Sequence, residues 1–172
     1  MSQIVNEIPQ QIDVEASIKP QAGVPSSLMF LILGVTFFCI LADGYDLGIY
    51  GAVLPSLLEY KLWGLSPAQA GTIGSYALFG MLIGAVLIGT ITDFFGRKKT
   101  LVASVTLFSL TMAACAMAPS PEWFGLFRFI GGVGLGGVIP TASALVIEYS
   151  SPKRRSLNYL LMFSGYAFGT VL

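Results

Sequence analysis

Between residues 28 and 172 the chain is a succession of five apolar segments, each close to or above the roughly 20 residues that an α-helix needs to cross a hydrocarbon core. They cover 28–58, 67–92, 100–118, 122–147 and 156–172, and the connections between them are short. Only Asp43, Asp46, Arg128 and the terminal Glu122 carry charge within them. With 55% apolar and 10% charged residues, the fold class is an all-α membrane protein set in a lipid bilayer.

The same composition excludes several function classes. Net charge is zero and no basic stripe is present, so nucleic acid is not a partner. Histidine is absent, which removes the commonest general base and the commonest zinc ligand together. Cys39 and Cys115 lie within apolar runs and read as small packing residues. No catalytic residue, metal site or cofactor is assigned, and the chain is not read as an enzyme.

Residues 1–27 are polar, carry Glu7, Asp13, Glu15 and Lys19, and include three prolines, so they read as a tail. Acids stand where a secretory signal would place its bases. Arg97-Lys98-Lys99 and Lys153-Arg154-Arg155 occupy alternate connections and mark the cytoplasmic side. The connections at 59–66 and 119–121 hold only Lys61 among bases and face outward. Strict alternation then puts the amino terminus in the cytoplasm. The last segment ends at Gly169-Thr170-Val171-Leu172 with no charged or aromatic stop, and five spans are hard to close into a complete pore or carrier. The chain is therefore expected to be the front part of a longer protein, without its C-terminal half.

Glycines recur near helical spacing, with Gly80, Gly84 and, one residue out of step, Gly89 on the second segment and Gly132 and Gly136 on the fourth. Small residues four apart let membrane helices approach closely. Pro55 and Pro140 lie inside segments and are expected to bend them.

Asp43-Gly44-Tyr45-Asp46 stands in the middle of the first segment. An ionisable group at bilayer depth costs at least roughly 2.5 kcal/mol and persists where it lines a cavity, finds a partner or carries a proton. Three residues apart, the two carboxylates share one helix face. Two carboxyls held together away from water can exchange a proton near neutral pH, which a proton-coupled carrier requires. Gly44 between them is expected to permit local unwinding. The plainer alternative is that one aspartate neutralises Arg128 while the other faces trapped water.

The connection after the second segment reads Gly89-Thr-Ile-Thr-Asp93-Phe-Phe-Gly96-Arg97-Lys98-Lys99. It resembles the G-x-x-x-D-x-x-G-R-K/R-K/R signature of the major facilitator superfamily. Arg128-Phe-Ile-Gly-Gly132-Val-Gly134-Leu-Gly136 is similar to that family's pattern in its fourth helix, and Glu148, Pro152 and Arg155 to the stretch that ends it. The resemblance implies the first five helices of a twelve-helix carrier. It also implies a gate at Gly89, Asp93, Gly96, Arg97, Lys98 and Lys99, and a cytoplasmic latch involving Glu148 and Arg155, with Glu148 expected to pair with Arg97.

Within the superfamily, Asp43-Gly44-Tyr45-Asp46, with Ile49-Tyr50-Gly51 and Pro55, resembles the aromatic acid and proton symporters. Leu65-Ser66-Pro67-Ala68-Gln69-Ala70-Gly71 adds to the likeness. The implied function is uptake of an aromatic carboxylate such as benzoate together with protons, by a multi-pass protein of the plasma membrane. Asp43, Asp46 and Arg128 would form the proton and substrate pathway, and Tyr45, Tyr50 and Phe79 could offer ring surface to the substrate. Two alternatives stand beside this one: a truncated carrier with no transport of its own, and a membrane-embedded metal-dependent enzyme. The enzyme would need more carboxylates at depth than Asp43 and Asp46 supply.

Overall fold

The structure, a computed structural model, describes residues 25–60 and 62–172. Residues 1–24, most of the expected tail, and Lys61, the expected outward base, lie outside the described residues. Six helices occur among the described residues: α1 (Ser26–Glu59), α2 (Pro67–Phe95), α3 (Arg97–Ala116), α4 (Pro121–Gly136), α5 (Val138–Tyr149) and α6 (Arg155–Val171). Helices α1, α2 and α3, and α4 with α5 taken together, are long and apolar enough to cross a membrane. The 17 residues of α6 reach the lower edge of the roughly 17–25 that a spanning helix takes.

Local signals account for the helix ends. Ser66 caps α2, with its hydroxyl accepting from the Gln69 backbone N–H while the Gln69 side chain accepts from the Ser66 N–H at 2.9 Å. Pro67 occupies the first helical position, where its missing N–H costs nothing. Gly96 sits at φ +85° and turns the chain directly from α2 into α3. The basic cluster Arg97-Lys98-Lys99 therefore forms the first turn of α3 rather than a free connection. Positive charge there opposes the helix dipole, so the placement answers a need outside the helix.

Pro140 interrupts the fourth segment, which divides at Gly137 into α4 and α5. A proline supplies no N–H to the carbonyl four residues back, here Gly136, and its ring crowds that carbonyl. Pro55, by contrast, lies inside an unbroken α1. The helix also runs without interruption through Gly44, so the expected unwinding between the aspartates is absent. Glycine serves packing there instead: a Cβ on Gly44 would collide with the Tyr166 carbonyl of α6.

That contact belongs to a pattern repeated twice. Gly44 and Gly48 of α1 lie against the backbone of Tyr166 and Thr170, while Gly165 and Gly169 of α6 lie against Phe37 and Leu41. Gly80 and Gly84 of α2 lie against Phe129 and Val133 of α4, while Gly132 and Gly136 lie against Ala77 and Met81. In both pairs the residue numbers rise together, so α1 runs parallel to α6 and α2 parallel to α4. Glycines four apart on both partners bring backbone onto backbone, the close packing that replaces the hydrophobic effect in lipid. Gly131 and Gly134 receive Thr111 and Ser104 of α3 in opposite order, so α3 is antiparallel to α4. Gly89 departs from the expected glycine face, because nothing among the described residues lies within 4 Å of its missing Cβ.

Burial is inverted relative to a protein in water. Phe30 (73%), Leu82 (64%) and Phe94 (83%) stand exposed, while Thr36, Asp43, Asp46, Ser104, Arg128 and Thr141 are buried. A small apolar core around Ile40, Leu135, Val138 and Met162 joins α1, α4, α5 and α6. Hydroxyls tie neighbouring elements together, Thr92 to Thr141 at 3.2 Å and Asn158 to Ser150 at 2.9 Å.

Candidate functional site

Helix α1 presents Asp43 and Asp46 inward, and α4 presents Arg128 to meet them. The Gly80 and Gly132 contacts hold α4 close against α2, the Gly44 contact holds α1 against α6, and the Arg128–Asp46 bond joins the two pairs. Arg128 donates through Nη1 to Asp46 Oδ1 at 2.9 Å, with both side chains at most 5% exposed. An ion pair this deep is held by its mutual attraction against a large loss of hydration.

Asp43 is placed differently. It has no exposed surface, and neither carboxyl oxygen has a hydrogen-bond partner among the described residues. The plainer of the two sequence readings holds for Asp46, which neutralises Arg128. Asp43 is left as a separate carboxyl without a donor or a cation of its own among the described residues. A carboxyl buried without a hydrogen-bond partner is costly to the fold. Arg128 Nε is likewise buried and without a partner among the described residues. The cluster thus holds one closed ion pair, one isolated carboxyl and a guanidinium whose buried Nε is unpartnered among the described residues.

Tyr50, one turn beyond Asp46 on α1, adds a fourth member. The Arg128 guanidinium carbon lies 4.6 Å from the centre of the Tyr50 ring. The Tyr50 hydroxyl donates to the Ala70 carbonyl of α2 at 2.5 Å. Tyr45 (42% exposed) and Phe79 (59% exposed) present their rings on the outside of this helical bundle instead.

The motif between α2 and α3 forms a second, separate group. Asp93, Gly96, Lys98 and Lys99 are exposed, and Gly89 is half-buried. Arg97 Nε lies 3.2 Å from Glu148 Oε2 at the end of α5, with both side chains about 40% exposed. Arg155, the other residue expected at the latch, is exposed and is not part of that pair. Among the described residues no group of three or more His, Cys, Asp or Glu side chains is arranged to hold a metal ion.

Sequence reasoning finds the charged members of the central site but misses the part played by Ala70 and Gly74, which seat Tyr50. Neither carries a chemical signal of its own. Only the packing of α1 on α2 reveals them.

Comparison with known proteins places this geometry in a family. Residues 36–172 match the Major Facilitator Superfamily. The chain is 43% identical over 165 residues to a benzoate transport protein of Acinetobacter baylyi, an alignment that covers 93% of this chain and 34% of that protein. It is 45% identical over 135 residues to a gentisate transporter of Corynebacterium glutamicum, covering 78% of this chain and 30% of that one. It is 37% identical over 147 residues to the 4-hydroxybenzoate transporter PcaK of Acinetobacter baylyi, covering 86% of this chain and 32% of that one. The chain thus spans about a third of the length of these relatives. With the match extending over nearly all the described helices, the chain belongs to the Major Facilitator Superfamily.

Proposed function

We propose that this chain serves proton-coupled uptake of an aromatic carboxylate, with benzoate the first substrate to test, as part of a carrier of the relatives' length. The observation that carries the proposal is the division between Asp46, paired with Arg128, and Asp43, buried and unpartnered among the described residues. The names of the relatives support an aromatic acid as substrate.

The charge count supplies the coupling. With Asp43 protonated, Asp46 and Arg128 cancel and the site is neutral, so an incoming carboxylate can approach Arg128 Nε. With Asp43 ionised, the site carries one net negative charge and repels the same anion. Proton and substrate therefore bind together more favourably than either alone, and the carrier turns over with both aboard. Substrate reaches the site near the bilayer midplane, between portions of the carrier that rock about it.

The protein is placed in the plasma membrane, with the amino terminus in the cytoplasm. The Arg97–Glu148 contact supports this orientation, since it brings the start of α3 and the end of α5 to one face, gathering Arg97–Lys99 and Lys153–Arg155 on the same side. The gate at Gly89, Asp93 and Gly96 to Lys99 works at that face, with Glu148 as the latch on Arg97.

The test is accumulation of radiolabelled benzoate in cells expressing a carrier of the relatives' length that contains this chain, with and without a proton uncoupler. Accumulation that the uncoupler abolishes is expected. Accumulation insensitive to the uncoupler would contradict proton coupling, and no uptake of any aromatic acid by a well-expressed carrier would contradict the substrate class.

The latch is tested by Arg97→Glu and Glu148→Arg, singly and together. Each single reversal is expected to reduce uptake severalfold and the double to restore most of it. Stability should change by no more than about 1 kcal/mol, because the pair is solvent-exposed. A double variant as impaired as the singles would argue against the pairing.

A further inference from the structure

Tyr50 stands where three helices meet, and both neighbouring helices contact it. Its hydroxyl is committed to the Ala70 carbonyl of α2 at 2.5 Å, and Ala70 itself is fully buried. Its ring occupies a notch at Gly74, where an added Cβ would lie 2.5 Å from the ring carbon Cε1. Its face carries the Arg128 guanidinium of α4 at 4.6 Å. Among the described residues Arg128 is otherwise held by a single hydrogen bond, from Nη1 to Asp46. One bond leaves a guanidinium free to swing about that contact, whereas the planar fork requires a second constraint to stay aimed.

We propose that Tyr50 is a positioning residue for the anion site. It is a platform, fixed to α2 by Ala70 and Gly74, that holds Arg128 so that Nη1 stays on Asp46 and Nε remains the donor for the substrate carboxylate. This rests on the reading of Arg128 as the substrate's cationic partner. It also changes the job expected of Tyr50. Its hydroxyl is occupied and a ring face carries the cation, so Tyr50 acts on the substrate through Arg128 rather than by offering it aromatic surface. A cation above an aromatic face is attracted by the negative face of the ring, and the attraction grows when water is excluded.

That origin gives a test which simple space-filling would not pass. In the carrier of the relatives' length, Tyr50 is replaced by Phe and then by phenylalanines bearing one, two and three ring fluorines, which drain the negative face while barely changing the shape. Tyr50→Phe, which loses the Ala70 bond but keeps the ring in the Gly74 notch, sets the reference KM for the fluorinated series. The KM should then climb with each fluorine to about tenfold above Phe, with much less change in kcat. A KM that stays flat across the series in an active carrier would overturn the platform and leave the transport reading intact.

A second measurement does not depend on transport. The Nε–H proton of Arg128, assigned by its loss in Arg128→Lys, is expected to resonate upfield in the parent and in Tyr50→Phe, and to move downfield in Tyr50→Leu. An unmoved resonance would overturn the proposal. If the parent carries no aromatic acid at all, the transport reading fails while this resonance still decides whether Tyr50 holds Arg128.

Discussion

Asp46→Asn is expected to abolish uptake and to lower the stability of the helical bundle by about 3–5 kcal/mol, because it strands the Arg128 charge in the interior without its counter-ion. Arg128→Gln should do the same from the other side. The double substitution Asp46→Leu, Arg128→Met removes both charges and fills the space with apolar atoms, so the cost of a stranded ion disappears. It should recover most of the parental thermal stability in detergent while leaving uptake at background. Recovery of stability without recovery of transport is the signature that separates a functional pair from a structural one. Single variants that melt with the parent would contradict the close, buried geometry at 2.9 Å.

Asp43→Asn should behave in a contrasting way. Asparagine occupies nearly the same volume as a protonated aspartate and leaves the Asp46–Arg128 pair untouched, so the bundle should remain folded. What disappears is the ability to gain and lose a proton. By the charge count the variant is fixed in the neutral arrangement that accepts a carboxylate, and binding should survive. Coupling should not, and accumulation against a gradient is expected to fall by at least roughly tenfold, the order of effect that a charge-based coupling of a few kcal/mol produces.

Much of this arrangement is legible in the amino-acid sequence, for identifiable reasons. Helix type follows from the length of the apolar runs, since a bilayer admits few other solutions, and four of the five runs return among the described residues as helices long and apolar enough to cross it. Ser66-Pro67 and Gln69 mark the start of α2 through capping chemistry that is local in sequence. Asp43, Asp46 and Arg128 are conspicuous because charge is costly at that depth. Even the Arg97–Glu148 contact follows from the motifs in which the two residues stand.

What the sequence hides has a common cause in long-range packing. Gly44 reads as a point of loosening in α1, and instead it seats the helix against the Tyr166 carbonyl. Gly89 reads as one of the close-packing glycines, yet nothing among the described residues approaches it. Pro55 and Pro140 look equivalent, but only the Pro140 segment divides, next to Gly136 and Gly137, which resist unwinding least. The unequal fates of Asp43 and Asp46 are equally hidden. Two aspartates on one helix face look alike until Arg128 arrives on another helix and reaches only one of them.

The most direct test of that inequality uses proteoliposomes containing a carrier of the relatives' length, parent beside Asp43→Asn. Two quantities are measured: exchange of labelled for unlabelled benzoate at equal pH, and accumulation driven by an imposed inward proton gradient. Asp43→Asn is expected to retain exchange and to lose gradient-driven accumulation. Accumulation at the parental level in Asp43→Asn would contradict coupling through Asp43, since the proton would then travel on some other group.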